Sequence, residues 1–354
     1  MKEIHSEQVV RQLRELYRRY GYTQYRMSKF EPYDLYVHNK SFLISEDILT
    51  FTDADGRLMA LKPDVTLSIV KNAKEGSGLQ KVYYSENVYR TSPMTRGFRE
   101  IMQTGLECVG DIDLVAMGEV LLLAARSLDM ICEDYLLDVS HMGFVAGLLD
   151  SAGAGEDSRG ELLKLMGEKN VSGLGTLCRE LGLDPEASED LCQLTGLYGA
   201  PEELLPALED MVRGERMAQA LAELTAVCTL TPQAHLQLDF SMVNNMDYYN
   251  GLIFQGYLPG LPSGVLSGGR YDNLLRQMGR GDGAIGFAIY MNLLERLEGA
   301  REDYDADVLL LYDETTPASA VLGEAERCRR AGESVRVERW VPEGLTFRTI
   351  RKVG

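Results

Sequence analysis

Two neighbouring stretches decide the fold: Lys81-Val82-Tyr83-Tyr84-Ser85-Glu86-Asn87-Val88-Tyr89, and Arg99-Glu100-Ile101-Met102-Gln103-Thr104-Gly105-Leu106-Glu107-Cys108-Val109-Gly110. The first is rich in Tyr and Val and the second alternates, so each reads as a strand. The polar segment 91–97 between them, with Ser92-Pro93 and Arg96-Gly97, reads as a loop. On the returning strand Arg99, Gln103 and Glu107 share one face by parity, and Met102, Leu106 and Cys108 share the other. A donor, an amide and an acid on one face line either a solvated surface or a polar pocket. Arg suits a carboxylate or phosphate and Glu suits an ammonium group, so the set suits a zwitterionic amino acid.

Working outward, Val9, Leu13, Leu16, Tyr17 and Tyr20 fall at helical spacing, and Gly21 follows where a helix would end. Runs 48–52 and 57–61 read as strands joined by the turn Asp53-Ala54-Asp55-Gly56. Residues 114–134 read as a long apolar helix. Between 141 and 230 short amphipathic segments recur with glycine breaks, which predicts a helical insertion. Its residues 150–225 carry 16 acids and 6 bases. Strands are expected at 235–240 and 251–255, a Gly/Pro loop at 259–269, and helices at 271–278 and 287–297 about a Gly-rich turn, 279–286. The tail reads as one βαβ unit, with strands at 308–312 and 334–340, a helix at 318–331, and a final fourteen residues that add little.

Two further segments hold polar groups within sheet-like sequence. In Leu61-Lys62-Pro63-Asp64-Val65-Thr66 the acid and hydroxyl share a face if the segment is extended; alternatively one of them caps the following helix. Asp247-Tyr248-Tyr249-Asn250-Gly251 and Ser267-Gly268-Gly269-Arg270-Tyr271-Asp272 put tyrosine hydroxyls beside acids, as a ligand slot would, or as packed tyrosines around a turn. The glycines match neither a P-loop nor a dinucleotide fingerprint.

The 354 residues carry a formal charge of −18, which repels phosphate backbones in the absence of a local basic patch. No apolar run is long enough to cross a membrane, and the N-terminus lacks a signal-peptide core. Cysteines 108, 132, 178, 192, 228 and 328 and histidines 5, 38, 141 and 235 are too scattered for a zinc knuckle or a disulfide framework. The expectation is a cytoplasmic protein with reduced thiols, no metal and no cofactor.

Taken in order, Leu-Lys-Pro-Asp-Val-Thr, the Arg90…Arg99-Glu100…Gln103…Glu107 hairpin, Met246-Asp247-Tyr248-Tyr249-Asn250-Gly251 and Gly268-Gly269-Arg270-Tyr271-Asp272 resemble the core of histidyl-tRNA synthetase and its paralogue, the regulatory subunit of ATP phosphoribosyltransferase. The likeness covers roughly residues 1–298. It implies an α+β, class II aminoacyl-tRNA synthetase-like fold: an antiparallel sheet flanked by helices, assembling as a homodimer through that core. The core would span 1–140 and 231–298, the helical insertion 141–230, and a truncated C-terminal unit 305–354. The resemblance further implies a histidine pocket made by Asp64, Thr66, Arg90, Gln103, Glu107, Tyr248, Tyr249 and Tyr271.

The departures from the synthetase pattern are specific. Adenylate formation needs cations that hold phosphate and stabilise developing charge, at roughly 3 kcal/mol per preorganised group. Asn244 and Leu293 stand where the synthetase carries arginines, and Tyr290 replaces a glycine; Arg296 is nearly one turn away. The family's dimer strand usually carries a proline where Ser28 stands. Residues 301–354 hold nine bases and eleven acids, a poor grip for tRNA. A retained ligand shell without catalytic arginines implies a non-catalytic sensor. It would activate the short-form catalytic subunit of ATP phosphoribosyltransferase and relay feedback by histidine, binding no tRNA and no membrane. A divergent histidyl-tRNA synthetase and a stand-alone histidine-binding paralogue are the alternatives.

Overall fold

A computed structural model describes residues 6–38, 48–76, 78–91, 97–243, 248–294 and 304–353. The chain divides into two units, Met1–Leu297 and Glu298–Gly354. The first begins with α1 (Ser6–Arg19), β1 (Thr23–Gln24), β2 (Phe30–Pro32), α2 (Tyr33–Val37), β3 (Thr50–Thr52), β4 (Leu58–Leu61) and α3 (Thr66–Asn72). The hairpin follows as β5 (Gln80–Thr91) and β6 (Phe98–Gly110), then α4 (Leu114–Ile131) and β7 (Leu136–His141). Helices α5 (Met142–Ala152), α6 (Glu156–Gly167), α7 (Val171–Glu180) and α8 (Pro185–Gly196) precede β8 (Tyr198–Gly199), α9 (Pro201–Asp210) and α10 (Glu215–Leu230). The unit closes with β9 (Leu236–Asp239), β10 (Leu252–Tyr257), β11 (Leu266–Arg270), α11 (Asp272–Gln277), β12 (Gly283–Tyr290) and α12 (Met291–Leu294).

Nine strands form one sheet in the order β1-β5-β6-β12-β11-β10-β7-β9-β8. Every pairing is antiparallel except β1 with β5 and β7 with β9. Its period-2 alternation separates two faces. One face, with Leu106, Cys108, Phe254, Ile285, Phe287 and Ile289, joins Leu13 and Tyr17 of α1 and Val120, Leu121 and Leu128 of α4 in the main apolar cluster. A fully buried Leu or Phe there contributes about 1.5–3 kcal/mol relative to exposure. The opposite face carries Gln103, Gly105 and Glu107 of β6 and their cross-strand neighbours Tyr290, Ala288 and Gly286 of β12. It holds the candidate site.

The helices α5 to α10 share that main cluster through Leu148, Leu162, Leu174, Leu191, Leu208 and Leu224. Their ends follow local chemistry. Asp184 accepts from the Ala187 amide at 2.9 Å ahead of Pro185, and Gly153 ends α5 at φ +77°. A second sheet, β2-β4-β3, is built around the turn in which Asp53 Oδ1 accepts from the amides of Asp55 and Arg57. No helix among the described residues is long and apolar enough to cross a membrane.

Three sequence expectations are corrected. Residues 283–290, read as the end of a turn and the start of a helix, are the strand β12, and only Met291–Leu294 is helical after it. The Gly/Pro loop at 259–269 ends in the strand β11. In the second unit β13 (Ala306–Leu311), α13 (Ala318–Arg330) and β14 (Val335–Glu338) make the βαβ unit, but the final residues add a third strand, β15 (Phe347–Lys352). β15 pairs parallel with β13 on the side away from β14. Val308, Leu310 and Ala325 form this unit's core.

Candidate functional site: a buried polar pocket on the sheet

Glu107 lies at the centre of the pocket. It projects from β6 opposite Gly286 of β12 and is 2% exposed. Thr66, the first residue of α3, donates its hydroxyl to Glu107 Oε1 at 2.8 Å, and Tyr271 donates to Oε2 at 2.5 Å. A side chain at 286 is impossible here, because a Cβ would stand 1.8 Å from Glu107 Oε2. Burial pushes the Glu107 carboxyl up to about 8; the two hydroxyl donors only partly offset the lost hydration. The unliganded site therefore holds Glu107 largely protonated at neutral pH.

Asp64 precedes α3 and does what the capping alternative predicts: its Oδ1 accepts from the Leu67 amide at 2.9 Å. It is also a buried acid, raised above the usual carboxylate range by burial, against the pull of nearby backbone donors and Arg90. Capping and ligand contact are compatible, because the cap engages one carboxylate oxygen. Arg90, near the end of β5, donates Nε to the Pro63 carbonyl at 2.9 Å, while its Nη2 is buried without a partner. Tyr36 of α2 presents another buried hydroxyl without a partner, and its charge coupling is strongest with Asp64. Unsatisfied buried donors are costly, about 1–3 kcal/mol each, so such groups commonly belong to a ligand site.

The tyrosines close the pocket. The rings of Tyr248 and Tyr249 are 4.6 Å apart and those of Tyr248 and Tyr271 5.5 Å apart. Tyr248 bonds Thr66 and Tyr249 bonds Ser267. Gly269 lets the Tyr249 ring approach, since a Cβ there would meet it at 2.7 Å. Tyr271 is held by its neighbour: Asp272 Oδ1 accepts from the Ala284 amide, Oδ2 from Arg270 Nε and Asn250 Nδ2, and Asn250 Oδ1 takes the Asp272 amide. Gln103 is buried between Glu86 and Tyr290 in the cross-strand register.

The structure thus gathers Asp64, Thr66, Glu107, Tyr248, Tyr249 and Tyr271 into one connected cluster, with Arg90 and Gln103 buried on the same sheet face. Arg99 does not join them; it is exposed, directly across from Arg90. Sequence reasoning missed Tyr36, Tyr84 and the ion pair of buried Lys62 with half-buried Glu86 at 2.5 Å. Tyr84 and Glu86 share parity with Arg90, so facing was a usable signal for them; nothing local distinguishes Tyr36 from a core tyrosine. Leu293 is part-buried against the main apolar cluster, and Tyr290 ends β12. Asn244, Asp247, Arg96 and Arg296 lie outside the described residues. Among the described residues no three His, Cys, Asp or Glu side chains are placed to hold a metal ion.

A nine-stranded, mostly antiparallel sheet, with α1 and α4 packed on one face and a polar, tyrosine-walled cluster beside α3 and α11 on the other, defines a class II aminoacyl-tRNA synthetase-like protein. The family model for histidyl-tRNA synthetase matches residues 2–294, and the chain belongs to that family. It is similar to the ATP phosphoribosyltransferase regulatory subunit of Oceanobacillus iheyensis, with 28% identity over 341 residues covering 93% of this chain and 84% of that one. Its fold resembles that of an ATP phosphoribosyltransferase regulatory subunit/histidyl-tRNA synthetase from Bacillus halodurans, with a TM-score of 0.80 and 23% identity over 99% of this chain and 96% of the other. It also resembles a chain of the ATP phosphoribosyl transferase (HisG:HisZ) complex from Thermotoga maritima, with a TM-score of 0.64 and 19% identity over 81% and 97% of the two chains.

Proposed function

We propose that this chain is the regulatory subunit of an ATP phosphoribosyltransferase: it binds histidine in the Glu107 pocket and controls a separate short-form catalytic subunit in the first step of histidine biosynthesis. One observation carries the reading. The pocket holds buried acceptors, Asp64 and Glu107, and a buried guanidinium nitrogen of Arg90 without a partner, while Leu293 supplies apolar packing where the synthetase pattern carries an arginine. A carboxyl that ionises on binding suits the ammonium of an amino acid, the guanidinium suits its carboxylate, and the tyrosine hydroxyls suit an imidazole. The name shared by relatives aligned over most of their length supports the same role.

The chain itself is non-catalytic in this reading and binds no tRNA. It forms a homodimer through the face of β2-β4-β3 that carries Phe30, Phe51, Met59 and Leu61, where Phe30 is about half exposed and stacks edge-on to Phe51 at 5.0 Å. The test is co-purification with a short-form catalytic subunit. A stable complex is expected. No complex, together with histidine-dependent exchange of pyrophosphate into ATP by the chain alone, would favour the synthetase reading.

A further inference from the structure

The site face of the large sheet continues past the tyrosines to strands β10, β7 and β9, where a second set of buried polar groups has no role in the histidine pocket. Asp138 and Ser140 lie two residues apart on one face of β7, about 6.6 Å along the strand. Both are buried, and both have an atom without a partner, Asp138 Oδ1 and Ser140 Oγ. Ser140 is fully buried and sits beside the position that continues the β7–β9 register to Asp239. Asp239 is also buried. Its Oδ1 accepts from the amide and hydroxyl of Ser241, and its Oδ2 from Lys169 Nζ at 2.9 Å.

Other polar side chains face the cluster among the described residues. Gln255 of β10 and Gln237 of β9 flank Asp138 in the register. Tyr198 bonds Asp138, and Tyr257 couples to both acids. Lys169, between α6 and α7, also lies 5.1 Å over the Tyr198 ring. The formal charges are two carboxylates and one ammonium, which leaves one negative charge uncompensated. Buried charge without compensation is costly, and the free atoms are hard oxygens. Both free atoms are shielded from solvent, which excludes a bulky organic cation.

We propose that Asp138 Oδ1 and Ser140 Oγ bind one small monovalent metal cation, with Asp239 supplying charge, where the helical segment meets the far strands of the sheet. Such an ion completes the charge balance that Lys169 half-satisfies. It ties the α6–α7 connection to β7 and β9. Burial and Asp239 push the Asp138 carboxyl up to about 6, a cost that a bound cation would relieve. The proposal is independent of histidine binding.

The test uses the full chain at constant ionic strength, with choline chloride replaced stepwise by potassium or sodium chloride. The expected result is a saturable rise of the thermal midpoint, about 2–6 °C, with at least one of the two metal ions. Asp138→Asn and Ser140→Ala should lose it; the second variant is small enough to fold whatever the first does. Diffraction from thallium-soaked crystals should place an anomalous peak beside Asp138 and Ser140. Equal midpoints in potassium, sodium and choline would overturn the proposal. So would a rise retained in full by both variants, or water in place of the peak.

Discussion

Glu107→Gln separates a ligand site from a merely packed polar cluster. Glutamine keeps the length and shape of the side chain and can still bond Thr66 and Tyr271, so the pocket's frame survives. It loses the negative charge that an α-ammonium needs. Leaving a buried charge unpaired costs about 3–5 kcal/mol. Part of that is offset, because the wild-type carboxyl, raised to about 8, must first lose a proton at pH 7, at a cost of about 1.4 kcal/mol. The net expectation is a loss of histidine affinity of about a hundredfold at pH 7. Calorimetry of the wild type in buffers of different ionisation enthalpy should reveal close to one proton released per histidine bound. That release should vanish in the variant, and wild-type affinity should rise with pH up to about 8. Wild-type affinity in Glu107→Gln, or binding without proton release, would refute the assignment of Glu107 as the ammonium's partner.

Other expectations follow from the same geometry. The isolated chain should not exchange pyrophosphate into ATP with histidine present; robust exchange would return the arginine positions to play. Asp272→Ala removes the acceptor shared by Ala284, Arg270 and Asn250, so it should cost on the order of 3 kcal/mol in urea unfolding and weaken histidine binding through Tyr271. A variant as stable as wild type would show that the network does not hold the turn. Phe30→Asp with Phe51→Asp, on one face of the small sheet, should turn a dimer into a monomer in sedimentation; an unchanged species would place the interface elsewhere. The raised folded-state carboxyls of Glu107 and Asp138 give stability that is full below about pH 4 and is lost as pH rises through about 6 and 8. Glu107→Gln should therefore lose less stability than wild type between pH 5 and 8, and identical pH profiles would contradict the burial argument.

The hairpin and its facing were legible because β6 obeys a simple alternation: Leu106 and Cys108 turn to the helices, Gln103 and Glu107 to the pocket. Strand β12 was not legible. Its two faces alternate large and small, Ile285, Phe287 and Ile289 against Ala284, Gly286 and Ala288, so no polar beat marks the period. The small side exists because Glu107 occupies the space over Gly286. β11 was hidden for a related reason, since Gly268 and Gly269 look like a loop until Phe254, Phe287 and Tyr249 press on them. β15 reads as polar because it is a sheet edge with exposed Arg348 and Ile350. Asp64 was legible in both senses offered, as a cap and as a pocket acid, and it is placed for both.

The central claim is control of a partner by histidine held on this chain. The direct measurement is the turnover of a short-form ATP phosphoribosyltransferase catalytic subunit, alone and with this chain, across a histidine titration, using wild type and Glu107→Gln. Turnover should rise on adding the chain, fall as histidine is added to the wild-type complex, and resist histidine by about two orders of magnitude in the variant. Turnover indifferent to the chain, or histidine inhibition identical in wild type and Glu107→Gln, would contradict the account.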